Sequence, residues 1–167
     1  MKKIICVITI LLIGIVGFIF LNKKEKIERC LIAYMDHSLQ IQQSYIYDIT
    51  YNGLLHKKVF KINTLKNIIS FTSDEYKTNN YYDEFEKEGS LFKQKFSNYK
   101  YDLDLKRDKN INVSFKSELY LQNDDSKLLH ATEYKNVLDK NGNIDFKKLK
   151  EYYKNQGASC KNTKDFQ

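Results

Sequence analysis

The chain opens with an apolar block and then settles into alternation. Ile4 to Leu21 is an apolar run of 18 residues, softened only by Thr9, Gly14 and Gly17. From Leu39 to Tyr51 the period is two: Leu39, Ile41, Gln43, Tyr45, Tyr47, Ile49 and Tyr51 alternate with Gln40, Gln42, Ser44, Ile46, Asp48 and Thr50. Alternation of that length is a strand with one face on a core. Asn52-Gly53 then fits a two-residue hairpin turn, and Leu54 to Leu65 returns as the partner strand, with Leu54, Phe60 and Ile62 on one face. Upstream, Ile27 to Met35 reads as a further strand, turned by Asp36-His37-Ser38, which completes a three-stranded antiparallel meander.

The period lengthens after Thr72. Tyr82, Phe85, Gly89, Phe92 and Phe96 step by three and four, which makes a single helical stripe. Thr72 with Glu75 forms a capping box, Asp74 and Glu75 suit the helix start, and Lys93 and Lys95 suit its end. Gly89-Ser90 is the expected kink. A second hairpin follows: Tyr99, Tyr101, Leu103 and Leu105 alternate with charged residues, Arg107 to Asn110 turns the chain, and Ile111 to Leu121 alternates back. Residues 127–138 hold no firm period and are read as a short helix. Asp145 caps a last helix carrying Phe146, Leu149 and Tyr153 on one face, and Gly157 stops it. The order β-β-β-α-β-β-α, behind an N-terminal transmembrane helix, is an α+β fold: an antiparallel sheet with helices on one face. The expected division is residues 1–26 as membrane anchor and flanks, 27–161 as an exported domain and 162–167 as a tail.

The anchor residues, among them Ile4, Leu12, Phe18 and Leu21, reach about 27 Å as a helix, enough to cross a bilayer core. A cleaved signal is the alternative; its apolar stretch is shorter, about 7–15 residues, and ends at a small-residue site that this run lacks. Cys6 comes too early and Cys30 too late for a lipoprotein signal. Lys2 and Lys3 precede the run, and Lys23, Lys24, Lys26 and Arg29 follow it. That count does not favour an exported C-terminal domain, whereas the Met-Lys-Lys start and the cysteines do. The expected location is the cytoplasmic membrane, single-pass, with the C-terminal domain outside.

Charge then changes the picture little. The net charge is +7, but residues 1–26 hold five Lys and one Glu, and without them it falls to +3. The excess belongs to the membrane flanks, where Lys meets lipid headgroups. No nucleic-acid partner is expected. Of three cysteines, Cys6 lies in the apolar run, leaving Cys30 and Cys160 at the two ends of the exported part. An even pair in an exported domain suggests a disulfide; two separate buried thiols are the alternative.

Candidate chemistry is sparse. His37, His56 and His130 are scattered, and neither Cys has a C-x-x-C neighbour, so no metal or cofactor is expected. Asp139 to Asp145 resembles the start of a calcium loop, but Gly142 is fourth rather than sixth and Lys150 stands twelfth, so it reads as an Asn-Gly turn before a capped helix. Asp102 and Asp104 share a strand face with Lys100 and Lys106 and read as solvated. The 13 Tyr read as half-buried core. Nucleophile contexts, phosphate loops and dinucleotide fingerprints are absent from the sequence, and no catalytic residue is expected.

Cys30 opening the first strand, the long alternating strand, the Asn-Gly hairpin, the amphipathic helix and the ending Phe146-Lys-Lys-Leu-Lys-Glu-Tyr-Tyr-Lys-Asn-Gln-Gly-Ala-Ser-Cys160-Lys161 resemble a known group. The chain is similar over residues 27–161 to the YehR-like small exported lipoproteins of low-GC Gram-positive bacteria and their non-lipidated, membrane-anchored relatives. The chain departs from it in lacking a lipidation Cys and in carrying Ala158-Ser159 before Cys160. The resemblance implies the Cys30–Cys160 pair and the α+β order, and no catalytic residues. The expected role is a non-enzymatic envelope domain that binds a protein, peptide or small ligand on its sheet. The alternative is a single-pass component of a membrane-spanning secretion or conjugation assembly. Chain purified from membranes and alkylated without reductant should keep residues 1–21 in its intact mass, with Cys30 and Cys160 unmodified; both thiols reacting would point to a cytoplasm-facing domain.

Overall fold

The structure, a computed structural model, describes residues 25–53, 57–72, 75–122 and 125–163. The apolar run with Ile4, Leu12, Phe18 and Leu21 lies outside these, as do Leu54 and Asp74. No helix among the described residues is long and apolar enough to cross a membrane.

The elements are β1 (Lys26–Asp36), β2 (Ile41–Asn52), β3 (Lys58–Ser70), α1 (Glu75–Lys95), β4 (Tyr99–Arg107), β5 (Ile111–Tyr120), α2 (Ser126–Leu129), a 3-10 turn (Glu133–Val137), α3 (Phe146–Asn155) and β6 (Ser159–Asn162). All six strands form one antiparallel sheet in the order β4-β5-β3-β2-β1-β6. The α+β architecture and both hairpins match the alternation. The sixth strand does not figure in the expected order: it is four residues long and too short to show a period.

Two local expectations need correction. Pairing between β2 and β3 resumes only at Lys58, opposite Asn52, so Gly53 to Lys57 is a five-residue connection and not a two-residue turn. α3 holds the returning strand there: Phe146 N donates to the Lys57 carbonyl at 3.1 Å. Next, Thr50 faces Lys61 while Tyr51 faces Val59, leaving Phe60 as the extra residue of a β-bulge. The bulge resets the parity, so Val59 rather than Phe60 is buried together with Ile62.

Register places one set of residues on the helix side: Ile41, Tyr47, Ile49 and Tyr51 of β2, Ile62 and Ile68 of β3, and Val113, Phe115 and Leu119 of β5. α1 covers the β3-β5-β4 half, with Phe85 5.5 Å from Phe115 and Phe92 5.3 Å from Tyr99 between ring centroids. α3 covers the β1-β2 half, stacking Tyr153 on Tyr47 at 4.1 Å and Phe146 on Tyr51 at 3.9 Å. Each such buried ring contributes about 1.5–3 kcal/mol of transfer free energy. Asp145 caps α3 as its sequence implies, its Oδ1 accepting from Lys147 N and Lys148 N. Cys30 and Cys160 face each other across β1 and β6 and are disulfide-bonded. At a sequence separation of 130, the link is worth about 5 kcal/mol in the chain-entropy account.

Gly89, the expected kink, lies inside α1, which runs unbroken from Glu75 to Lys95. It is instead where the sheet comes closest: a Cβ there would lie 2.5 Å from Tyr101 Cδ2 and 2.6 Å from Cε2. Gly89→Val is expected to cost about 1–3 kcal/mol by overpacking. In urea unfolding, Gly89→Val with Tyr101→Ala should lose less than the two single losses added together; simple additivity would show that the ring is not what excludes the side chain.

Candidate functional site

Alternation gives the sheet a second face, and no described helix packs against it. Register aligns its residues in rows across the strands. One row runs Arg29, Asp48, Asn63, Glu118, Lys100; the next runs Leu31, Ile46, Leu65, Lys116, Asp102. The β1-β2-β3 half of this open face is mixed: Ile27, 43% exposed, and Met35, 37% exposed, stand with half-buried Leu31, Ile46, Leu65 and Ile69 among polar residues such as Arg29, Asp48, Lys61 and Asn67. The β5-β4 half is charged, through Lys116, Glu118, Lys100, Asp102, Asp104 and Lys106.

Where the halves meet, the two rows line a shallow basin of about 550 Å³, bounded by Arg29, Asp48, Lys100, Asp102, Lys116 and Glu118 over Ile46, Asn63 and Leu65. Three of its charged groups, Arg29, Asp48 and Glu118, are held in ion pairs. Arg29 donates to both carboxylate oxygens of Asp48, Nε to Oδ1 at 2.7 Å and an Nη to Oδ2 at 2.7 Å, across directly paired strand positions. That fork keeps the guanidinium pKa raised, the hydrogen bond to Asp48 being the main cause. Lys61 pairs with Glu118 at 2.6 Å and with the Tyr120 hydroxyl at 2.8 Å, which raises the Lys61 pKa and lowers that of Glu118. Between the acids, Asn63 Oδ1 is out of contact with solvent and has no hydrogen-bond partner among the described residues. A buried acceptor left so costs about 1–3 kcal/mol. The basin suits a ligand with an apolar body and charged or polar ends.

A second polar cluster lies under the helices. Lys66 pairs with Glu88 and sits 5.2 Å from the Phe85 ring centre. Around it are Tyr47, Tyr99, Tyr134 and Glu133. Burial pushes the phenols of Tyr47, Tyr99, Tyr134 and Tyr153 well above the usual tyrosine value, and that of Tyr45 up to about 12. These hydroxyls stay protonated and serve packing. Glu133 presents much of its surface to solvent, yet its carboxyl lines the same small cavity as Glu88, and its pKa is raised by desolvation first and by Glu88 second.

The residues singled out by sequence fall as follows. Cys30 and Cys160 are joined. Asp102 and Asp104 are exposed, and Asp104 lies 3.4 Å from Lys106. Asp139 Oδ1 accepts from Asn141 N and Asn143 N, and Gly142 has φ of 76°, so the calcium-like segment is an Asx turn feeding a capped helix. Among the described residues, no three His, Cys, Asp or Glu gather as metal ligands. Sequence reasoning missed the basin. Its signal was present in the polar parity of the strands, where Ile46, Leu65 and Ile69 interrupt what a solvated face would carry.

Since protonated Glu133 is favoured in the folded state, its contribution is full at acidic pH and is lost as pH rises through the raised value. Glu133→Gln is therefore expected to raise the urea midpoint at neutral pH and to leave it unchanged below the ordinary glutamate range. An equal shift at both pH values would remove Glu133 titration from the account. Compared with family models, curated proteins and solved structures, the chain matches none.

Proposed function

We propose that the chain is a membrane-anchored extracytoplasmic protein and that its folded part is a non-enzymatic binding domain of the cell envelope, with the open face of the sheet as the binding surface. The observation that carries this reading is the 550 Å³ basin where uncovered aliphatic side chains, Ile46 and Leu65, meet charge pairs. Sites for small ligands combine largely apolar walls with a few placed polar groups, and uncovered apolar surface on a folded domain marks interaction. Export is supported by the disulfide, which persists in oxidising compartments. The membrane anchor is supported by the apolar run from Ile4 to Leu21. Kinship with the YehR-like exported lipoproteins is part of the same proposal and rests on the Cys30–Cys160 closure and the order of elements.

A photo-crosslinking amino acid at position 46 or 116, on the open face, should give discrete adducts in intact cells. The same probe at position 87, on the exposed side of α1, should give none. Adducts of twice the chain mass would favour the assembly component over the ligand binder. Equal adducts from all three positions, or none from the sheet positions, would sink the open-face reading.

A further inference from the structure

In the anchored reading, the chain leaves the membrane shortly before the sheet begins. β1 begins at Lys26, so five Cα steps separate it from Leu21, the last residue of the apolar run, a reach of at most about 18 Å. Whatever lies at that end of the sheet is therefore held within a short distance of the bilayer surface. Lys26 faces Tyr51 across β1 and β2. Lys57 lies beside them, its ammonium 5.2 Å from the Tyr51 ring centre and 5.0 Å from that of Phe146. The Phe146 N–H bonds to the Lys57 carbonyl, which places the start of α3, with exposed Lys147, at the same end. The turn that carries exposed Lys140 joins it, because Leu138 and Ile144 bridge each other and Lys58 bridges Asp145.

The acids at this end are Glu25, exposed just before β1, Glu28, buried and paired with Lys150, and the half-buried Asp139 and Asp145. Asp145 Oδ1 accepts from Lys147 N at 2.8 Å and Lys148 N at 3.0 Å. Asp139 Oδ1 accepts from Asn141 N at 2.8 Å and Asn143 N at 2.9 Å. Both carboxylates keep their negative charge, but the lysines gathered at this end outnumber its acids, and Lys140 and Lys147 are exposed. We propose that this end is a docking surface for the anionic lipid headgroups of the membrane that holds the anchor. Lys26, Lys57, Lys140 and Lys147 lie against the headgroups. The strands then run away from the bilayer and the open face points sideways, clear of the membrane. The proposal rests on the anchored reading above. Basic side chains close to an anionic leaflet are attracted within a Debye length, about 8 Å at physiological salt.

The test is lysine acetylation of the full chain reconstituted in vesicles, read residue by residue by mass spectrometry. Vesicles of phosphatidylcholine alone are compared with vesicles that also contain phosphatidylglycerol. Lys57, Lys140 and Lys147 should react roughly threefold or more slowly with the anionic lipid, the effect fading in high salt. Lys106 and Lys109, at the opposite end of the β4-β5 hairpin, should react equally in both. Equal rates at Lys57, Lys140 and Lys147 in the two lipids, with the chain floating with the vesicles, overturn the docking surface and leave the anchor standing. Protection of the same size in both lipids is crowding by the bilayer and also overturns it. A chain that fails to float with either vesicle removes the anchor itself, and the docking surface with it.

Discussion

The Cys30–Cys160 bond joins the first strand of the sheet to the last, and much of the architecture is arranged around that closure. Cys30 is fully buried and stands on the helix side of β1, so the C-terminal strand is drawn to the edge of the sheet beneath α3. α3 in turn lays Tyr153 on Tyr47 and Phe146 on Tyr51, which closes the core over β1 and β2. A four-residue strand on its own contributes little pairing energy. Here the covalent bond supplies the constraint, and the hydrogen bonds of β6 follow from it.

The closure also divides the work between the two faces. The helix side carries the stacked rings and the buried phenols; the open side carries charge pairs between neighbouring strands. Cross-strand pairs such as Arg29 with Asp48 contribute modestly to stability. Their larger effect is to fix where charge sits along the basin. The β4 edge, with Lys100, Asp102, Asp104 and Lys106 along one face, is dressed against pairing with another chain, as exposed edges commonly are.

Much of this could be read in the residues. The period-two runs of β2, β4 and β5 specify strand and face together, because a one-residue slip would expose Tyr47 and Ile49. The α1 stripe and the Asp145 cap are equally local signals. What escaped reading depends on contacts between distant segments. Phe60 becomes a bulge residue only because Val59 and Ile62, three apart on β3, both face the helices. Gly89 reads as the place of a kink; that it makes room for the Tyr101 ring shows only in the packing. The basin was the hardest to see, since Arg29, Asp48, Asn63, Glu118 and Lys100 come from five strands and are aligned by register alone. The capping box at Thr72 and Glu75 touches residues outside those described and stays a sequence reading.

The position of the disulfide, four residues into β1, also sets how the domain bears tension. Any pull along the chain from the N-terminal side enters at Lys26 and can unzip only Lys26 to Arg29 from β2 before it meets Cys30. From there the load divides. Part continues along the β1–β2 ladder, and part crosses the sulfurs to Cys160 and passes through buried Ala158 into α3. Peeling the first strand then requires Tyr153 to leave Tyr47 as well. A strand that would yield one hydrogen bond at a time becomes a clamp that yields only when a helix is torn off the sheet.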